Sequence, residues 1–318
     1  MSARPRSKRA ALNRSHSQLS SRTMANVDVN GVTIEYEVHG TGEPLLFIMG
    51  LGGQLTAWPD EFVHLFVDQG FQVIRFDNRD IGLSTQTGWE PPSQAKLMRS
   101  FITRRQLQGV GYTVPDMADD AAGLLDSLDI GSCHVVGVSM GGMIAQELTI
   151  RHPEKVRSLC SIMSNTGDRK HGTIARSLIP KIARQKPATL ETAVDAAIDV
   201  LTTISGPHFD AAGSRQLAQA AVERSFAPAG VARQTAAIAA SRDRTLLLGA
   251  VDVPTLVMHG LLDRLVQPSG GIATAKAIPS ARLLAFPDMA HDLPRPRWQE
   301  MCDEIVGNTR RKAGAAIR

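Results

Sequence analysis

Apolar positions change period several times along this chain, and each change predicts an element. Val32, Ile34, Tyr36 and Val38 alternate with polar residues, which predicts an edge-like strand turned by His39-Gly40-Thr41-Gly42. Leu45 to Met49 is continuously apolar, as in a strand buried on both faces, and ends in Gly50-Leu51-Gly52-Gly53. Trp58 to Asp68 reads as a helix, with Pro59 near its first turn and Phe62, Leu65 and Phe66 on one face. Phe71 to Phe76 is a second buried strand. Residues 85–115 lose periodicity and carry Pro91-Pro92, predicting a loop with room for one short helix. A helix then begins at Asp116, with Asp119 and Asp120 favourable near its N-terminus and Met117, Ala121, Leu124, Leu125 and Leu128 on its inner face. A strand over 133–138, a helix over 140–151 stopped before Pro153, and a strand over 156–163 follow. Strands alternating with helices predict an α/β fold with a mostly parallel, doubly wound sheet, because parallel neighbours need crossover connections.

The alternation stops at residue 165. Leu190, Val194, Ala197, Leu201 and Ile204 keep helical spacing between Pro187 and Gly206, and Leu217, Ala220, Ala221 and Arg224 do so towards Phe226. Residues 165–245 therefore read as a helical cap inserted over one end of the sheet. Strand pattern resumes at 255–260 and 281–286, with a helix over 269–277 between them. A terminal helix places Trp298, Met301, Cys302 and Ile305 on one face. The resulting organisation is a disordered basic tail (1–23), a core (24–164 and 246–309) interrupted by the cap, and a basic C-terminal tail (310–318).

Composition narrows the class. The chain has 318 residues, of which 43% are hydrophobic, enough for a sizeable core. No apolar window approaches the length of a membrane span, and no secretory apolar segment precedes the core. The formal charge of +4 conceals an asymmetry. Residues 1–23 carry +6 without an acid and the residues after Glu304 carry +4, leaving about −6 on the middle. The basic character belongs to the tails, so a nucleic-acid-binding face is not expected. Met24 is expected to be the natural start. Cys133, Cys160 and Cys302 are widely spaced, as buried thiols in a reducing, cytoplasmic setting would be. No spacing suggests a metal site, and no cofactor is expected.

The chemistry gathers at strand ends. Gly137-Val138-Ser139-Met140-Gly141 has the G-x-S-x-G pattern between a strand and a helix. A serine hydroxyl needs a tight turn to project it towards a base, and small flanking residues let strand and helix close on that turn. The amide after the serine is then free to face a developing oxyanion. Asp263 follows a later strand and His291 the last one, while Gly50-Leu51-Gly52 can offer amides after an earlier one. Open parallel sheets place functional groups beyond these carboxyl ends. Ser139, Asp263 and His291 are the candidate nucleophile, acid and base. Asp168 is the alternative acid, Asp292 should point away, and His259 reads as structural.

These pieces resemble the α/β-hydrolase fold superfamily over about residues 30–308. The matching segments are MGLGG at 49–53, DNRDIGLS at 77–84, GVSMGG at 137–142, HGLLDRLVQP at 259–268 and PDMAHDLP at 287–294. WPDEF at 58–62, the DNRD opening and the MGG after the serine make the chain most similar to the aclacinomycin methylesterase branch of serine esterases. The resemblance implies that Ser139 is the nucleophile, His291 the general base and acid, and Asp263 the group orienting the imidazole. It implies an oxyanion hole from the Leu51 and Met140 amides, and Gly137 and Gly141 as the glycines of the nucleophile elbow. It also implies that Asp77, Arg79 and Asp80 form a buried loop network. Position 49 is Met where the family's HG pattern has His. A backbone donor survives that change, but the loop must be held differently.

The expected activity is cofactor-independent hydrolysis of a small carboxylic ester, with an apolar group suggested by the Ala, Leu, Ile and Val of residues 85–115 and the cap. The same triad serves C–C bond or thioester hydrolysis, acyl transfer and peracid formation. A non-enzymatic small-molecule receptor is the third reading.

Overall fold

Alternating burial places the sheet between two apolar layers. Leu46, Ile48, Ile74, Phe76, Val135 and Leu159 face one layer, while Leu45, Phe47, Val73, Val136, Cys160 and Ile162 face the other. That period of two is what a strand buried on both faces requires. The computed structural model describes residues 23–185 and 187–312. The expected tails fall almost wholly outside these residues, except that Arg311 folds back to donate to the carbonyls of Thr255 and Ser280.

The first half runs β1 (Thr23–Val29), β2 (Val32–His39), β3 (Glu43–Ile48), α1 (Asp60–Val67), β4 (Phe71–Phe76), α2 (Gln94–Thr103), α3 (Val114–Ser127), β5 (Cys133–Val138), α4 (Met140–Arg151) and β6 (Val156–Ile162). Then come α5 (Ile179–Ala183), α6 (Ala193–Ile204), α7 (Ala211–Arg224), α8 (Pro228–Ala239) and α9 (Thr245–Leu248), without a strand. The chain ends with β7 (Thr255–Gly260), α10 (Ser269–Ala277), β8 (Ala281–Phe286) and α11 (Trp298–Thr309). The strands form one eight-stranded sheet in the order β1-β2-β4-β3-β5-β6-β7-β8. Only the β1–β2 and β2–β4 pairings are antiparallel.

Three expectations change. The strand over 32–38 is not the edge, because β1 pairs outside it along its length. Residues 85–115 hold a ten-residue helix, α2, whose Leu97 packs on Ala236, Ala239 and Ala240 of the insertion. That partner lies far along the chain, so local periodicity carries little of it. The helix expected at Asp116 starts at Val114. Thr113 is its N-cap and Asp116 the third residue of a capping box, so the acid marks the first turn and not the first residue.

One layer is built by α3 and α4, with Leu248, Val251 and Ile278 at its far end. The other is built by α1 and α11, where Phe47, Trp58, Phe62 and Phe66 pack as an aromatic cluster. No helix among the described residues is long and apolar enough to cross a membrane.

Candidate active site

β5 delivers Ser139 to a sharp turn. Its backbone sits at φ 56°, ψ −117°, a strained conformation for a residue with a side chain. Neighbours hold it there: the Ser139 amide donates to the Ile162 carbonyl at 2.9 Å, and the Gly142 amide donates to the Ser139 carbonyl at 3.0 Å. The glycines are required by proximity. A Cβ on Gly137 would lie 2.2 Å from the Gly141 carbonyl oxygen, and one on Gly141 would lie 2.1 Å from that of Ile48. Both obstacles are backbone, which cannot step aside as a side chain can.

The loop after β8 brings the His291 ring to Ser139, with Nε2 3.0 Å from Oγ. Its Nδ1 lies 2.7 Å from Asp263 Oδ2, on the loop after β7. Asp263 is 2% exposed and its other oxygen, Oδ1, accepts the Leu265 and Val266 amides, both at 2.9 Å. Burial pushes this carboxyl up. The charge of His291 and hydrogen bonds from His259, His291 and the Val266 amide outweigh it and hold the group below the ordinary carboxylate range. An ionised Asp263 can only accept, so His291 carries its proton on Nδ1 and turns the Nε2 lone pair towards the Ser139 hydroxyl. His259 adds a second, longer contact to the same carboxylate. Its Nε2 donates to the Val266 carbonyl at 2.7 Å and lies 3.5 Å from Asp263.

The alternatives lie elsewhere. Asp168 accepts the Lys170 and His171 amides and pairs with the His171 ring. Asp292 turns back to accept the Ala290 amide at 3.0 Å and the Gly206 amide at 3.2 Å. Met140 follows the serine directly, and Leu51 follows Gly50, which approaches it. Met140 opens α4, and a Cβ on Gly50 would lie 3.2 Å from that of Ser139. Among the described residues neither the Leu51 nor the Met140 amide donates to a protein acceptor.

Asp77, Arg79 and Asp80 form the expected buried network. Asp77 Oδ1 accepts the Leu55 amide at 2.7 Å, and Oδ2 accepts the Leu83 amide at 2.9 Å and Arg224 Nη1 at 2.6 Å. Burial dominates and leaves the Asp77 carboxyl raised, although the two amides and Arg224 oppose it. Arg79 is paired with Asp120 through two bonds, and Asp80 accepts from Arg233 Nε at 3.0 Å.

The sequence reasoning missed the insertion's share of this site. Arg224, Arg233 and Gln234 reach the core loops, and the Ile204 carbonyl accepts the His291 amide at 3.0 Å. The one available signal was the pair Arg233-Gln234 within the buried, alanine-rich face of α8. A groove between α6 and α7, lined by Leu190, Val194, Val222 and Phe226, includes none of Ser139, Asp263 and His291. No group of three or more His, Cys, Asp or Glu residues able to hold a metal occurs among the described residues.

Comparison with known proteins shows the family. A family profile described as the alpha/beta hydrolase fold matches residues 43–294. BpoC of Mycobacterium tuberculosis, named for a non-heme bromoperoxidase activity, is 30% identical over 267 residues, covering 82% of this chain and 91% of its own. Rhodomycin D methylesterase DnrP of Streptomyces peucetius is 26% identical over 290 residues, covering 84% and 91%. Among solved structures, the enol-lactonase of Burkholderia xenovorans shares the fold with a TM-score of 0.68 at 21% identity, covering 89% of this chain and 99% of that one.

Proposed function

Because the chain belongs to the alpha/beta hydrolase fold family, we propose that it is a serine hydrolase that cleaves a carboxylic ester through an acyl-enzyme. The observation that carries this reading is the continuous path from Asp263 through His291 to Ser139, at 2.7 and 3.0 Å. His291 Nε2 takes the Ser139 proton as Oγ attacks the ester carbonyl, and Asp263 stabilises the imidazolium that forms. The Leu51 and Met140 amides receive the oxyanion, each contributing about 3 kcal/mol to the transition state. The imidazolium then protonates the leaving alcohol. In the second half-reaction His291 deprotonates a water whose oxygen attacks the acyl carbonyl; the intermediate collapses with cleavage of its bond to Ser139 Oγ, the imidazolium returns the proton to Oγ, and the carboxylic acid leaves. No step calls for a cofactor.

Similarity to a methylesterase supports an ester substrate, and the insertion acts as a cap whose apolar residues receive an apolar acyl or alcohol group. Three buried, unbridged cysteines fit a cytoplasmic enzyme. Ser139→Ala should lower p-nitrophenyl butyrate turnover by about 10⁵–10⁶-fold. Full retention of turnover would remove the assignment.

The similarity to BpoC favours a second reading on the same triad, in which hydrogen peroxide replaces water and the product is a peracid. Peroxide-dependent bromination of an organic acceptor in acetate, lost in Ser139→Ala, would establish it. No labelling of Ser139 by a fluorophosphonate probe would favour a non-enzymatic receptor.

A further inference from the structure

We propose that Gln234 is a positioning residue for the oxyanion loop, fixing from α8 the turn that presents the Leu51 amide to Ser139. The inference rests on the serine-hydrolase reading and concerns how its second oxyanion donor is held. The Gly53 amide donates to the Gly50 carbonyl at 3.2 Å, and Gly52 sits at φ +70°, which together make residues 50–53 a type II turn. The peptide between Gly50 and Leu51 is planar and trans, so its carbonyl and N–H point in opposite directions. With the Gly50 carbonyl drawn into the turn, the Leu51 N–H is directed outward. The next peptide carries the Gly52 N–H. Anchoring that peptide holds the whole turn, and the Leu51 amide with it, against the core loops; without the anchor the turn is free to tilt as a unit away from Ser139.

Gln234 secures that peptide. The Gly52 amide donates to Gln234 Oε1 at 2.9 Å, and Gln234 Nε2 donates to the Arg79 carbonyl at 2.9 Å. Gly52 N–H can only donate and the Arg79 carbonyl can only accept, so the partners also fix which end of the amide is which. The side chain is wholly buried, without water to replace either bond. The core holds the loop from its other end, where Asn78 donates to the Met49 carbonyl at 3.0 Å. The side chain at position 49 is a thioether, which offers no N–H to the turn. The peptide beside the donor is therefore held from the insertion, 182 positions away in sequence.

Gln234→Met keeps the length of the side chain and removes both bonds. Two readouts separate positioning from general loosening: kcat against KM for p-nitrophenyl butyrate, and inhibition by an alkyl trifluoromethyl ketone, whose adduct with Ser139 places an alkoxide in the oxyanion hole. The expected result is a fall in kcat of about 10–100-fold with a matching rise in Ki and KM changed by less than about threefold. Gln234→Glu, which as a buried, protonated carboxyl accepts from the Gly52 amide and donates to the Arg79 carbonyl, should recover most of both. Arg242→Met breaks the insertion's two bonds to Glu147 of α4, away from the site, and should lower thermal stability without moving kcat or Ki. The proposal is overturned if Gln234→Met keeps wild-type kcat and Ki, or if Arg242→Met reproduces its losses. Should Gln234→Met not fold, Gln234→Glu decides: near-wild-type kcat and Ki support the proposal, and loss of both overturns it. Absence of turnover and of Ser139 labelling in the wild type would instead remove the serine-hydrolase reading itself.

Discussion

The sheet and the insertion are held by different forces. Every residue of β5 and β7 is buried, and both faces of these strands meet apolar helices. In the insertion α5 and α7 bury no residue fully, α6 buries only Ala193, and α8 alone lies deep. The alanine face of α8 packs on the core and on α2, but the contacts nearest the site are polar: Arg224 to Asp77, Arg233 to Asp80, Gln234 to Gly52 and the Ile204 carbonyl to His291. Apolar burial is tolerant of small shifts, whereas buried polar contacts demand their partners. The half that carries the triad is therefore set by packing, and the half that covers it is set by a few directional bonds.

The comparison breaks most sharply in the elbow. Gly141→Ala would drive a methyl into the Ile48 carbonyl oxygen, and a loss of more than about 3 kcal/mol in urea unfolding is expected. Next comes Arg224→Met, which strands the fully buried Asp77 without its cation and should cost about 3 kcal/mol by the same measurement. A pH titration of stability sharpens the contrast further. The Asp263 carboxyl is depressed in the folded state, so its contribution is present above the unfolded value and is lost as pH falls through the folded one. The stability advantage of wild type over Asp263→Asn should accordingly hold at neutral pH and shrink in acid, below the ordinary carboxylate range. The smallest effect is dynamic. Amides of α6 and α7 should exchange with solvent faster than those of β5, in native-state hydrogen exchange followed by mass spectrometry.

This division also explains what the sequence made legible. Strand and helix periods reflect burial against neighbours, so β4, β5, α4, β7, α10 and β8 were readable to the residue. The three candidate residues could be picked out because strand ends and a G-x-S-x-G turn are local features, and the structure brings Ser139, Asp263 and His291 within hydrogen-bond distance of one another. β1 was missed because only Val27 and Val29 of its TMANVDV offer large apolar side chains to the core, too short an alternation to stand out at a sheet edge. The contacts of Arg224 and Gln234 were not readable. A single polar residue on a helix leaves no periodic trace of a partner more than a hundred positions away.

The central claim is that Ser139 is a nucleophile activated by His291. Intact-mass analysis after exposure to an alkyl fluorophosphonate tests it most directly. One adduct per chain on Ser139, absent in Ser139→Ala and greatly slowed in His291→Ala, is the predicted result. An unmodified wild-type protein, or an adduct that persists in Ser139→Ala, would contradict the account.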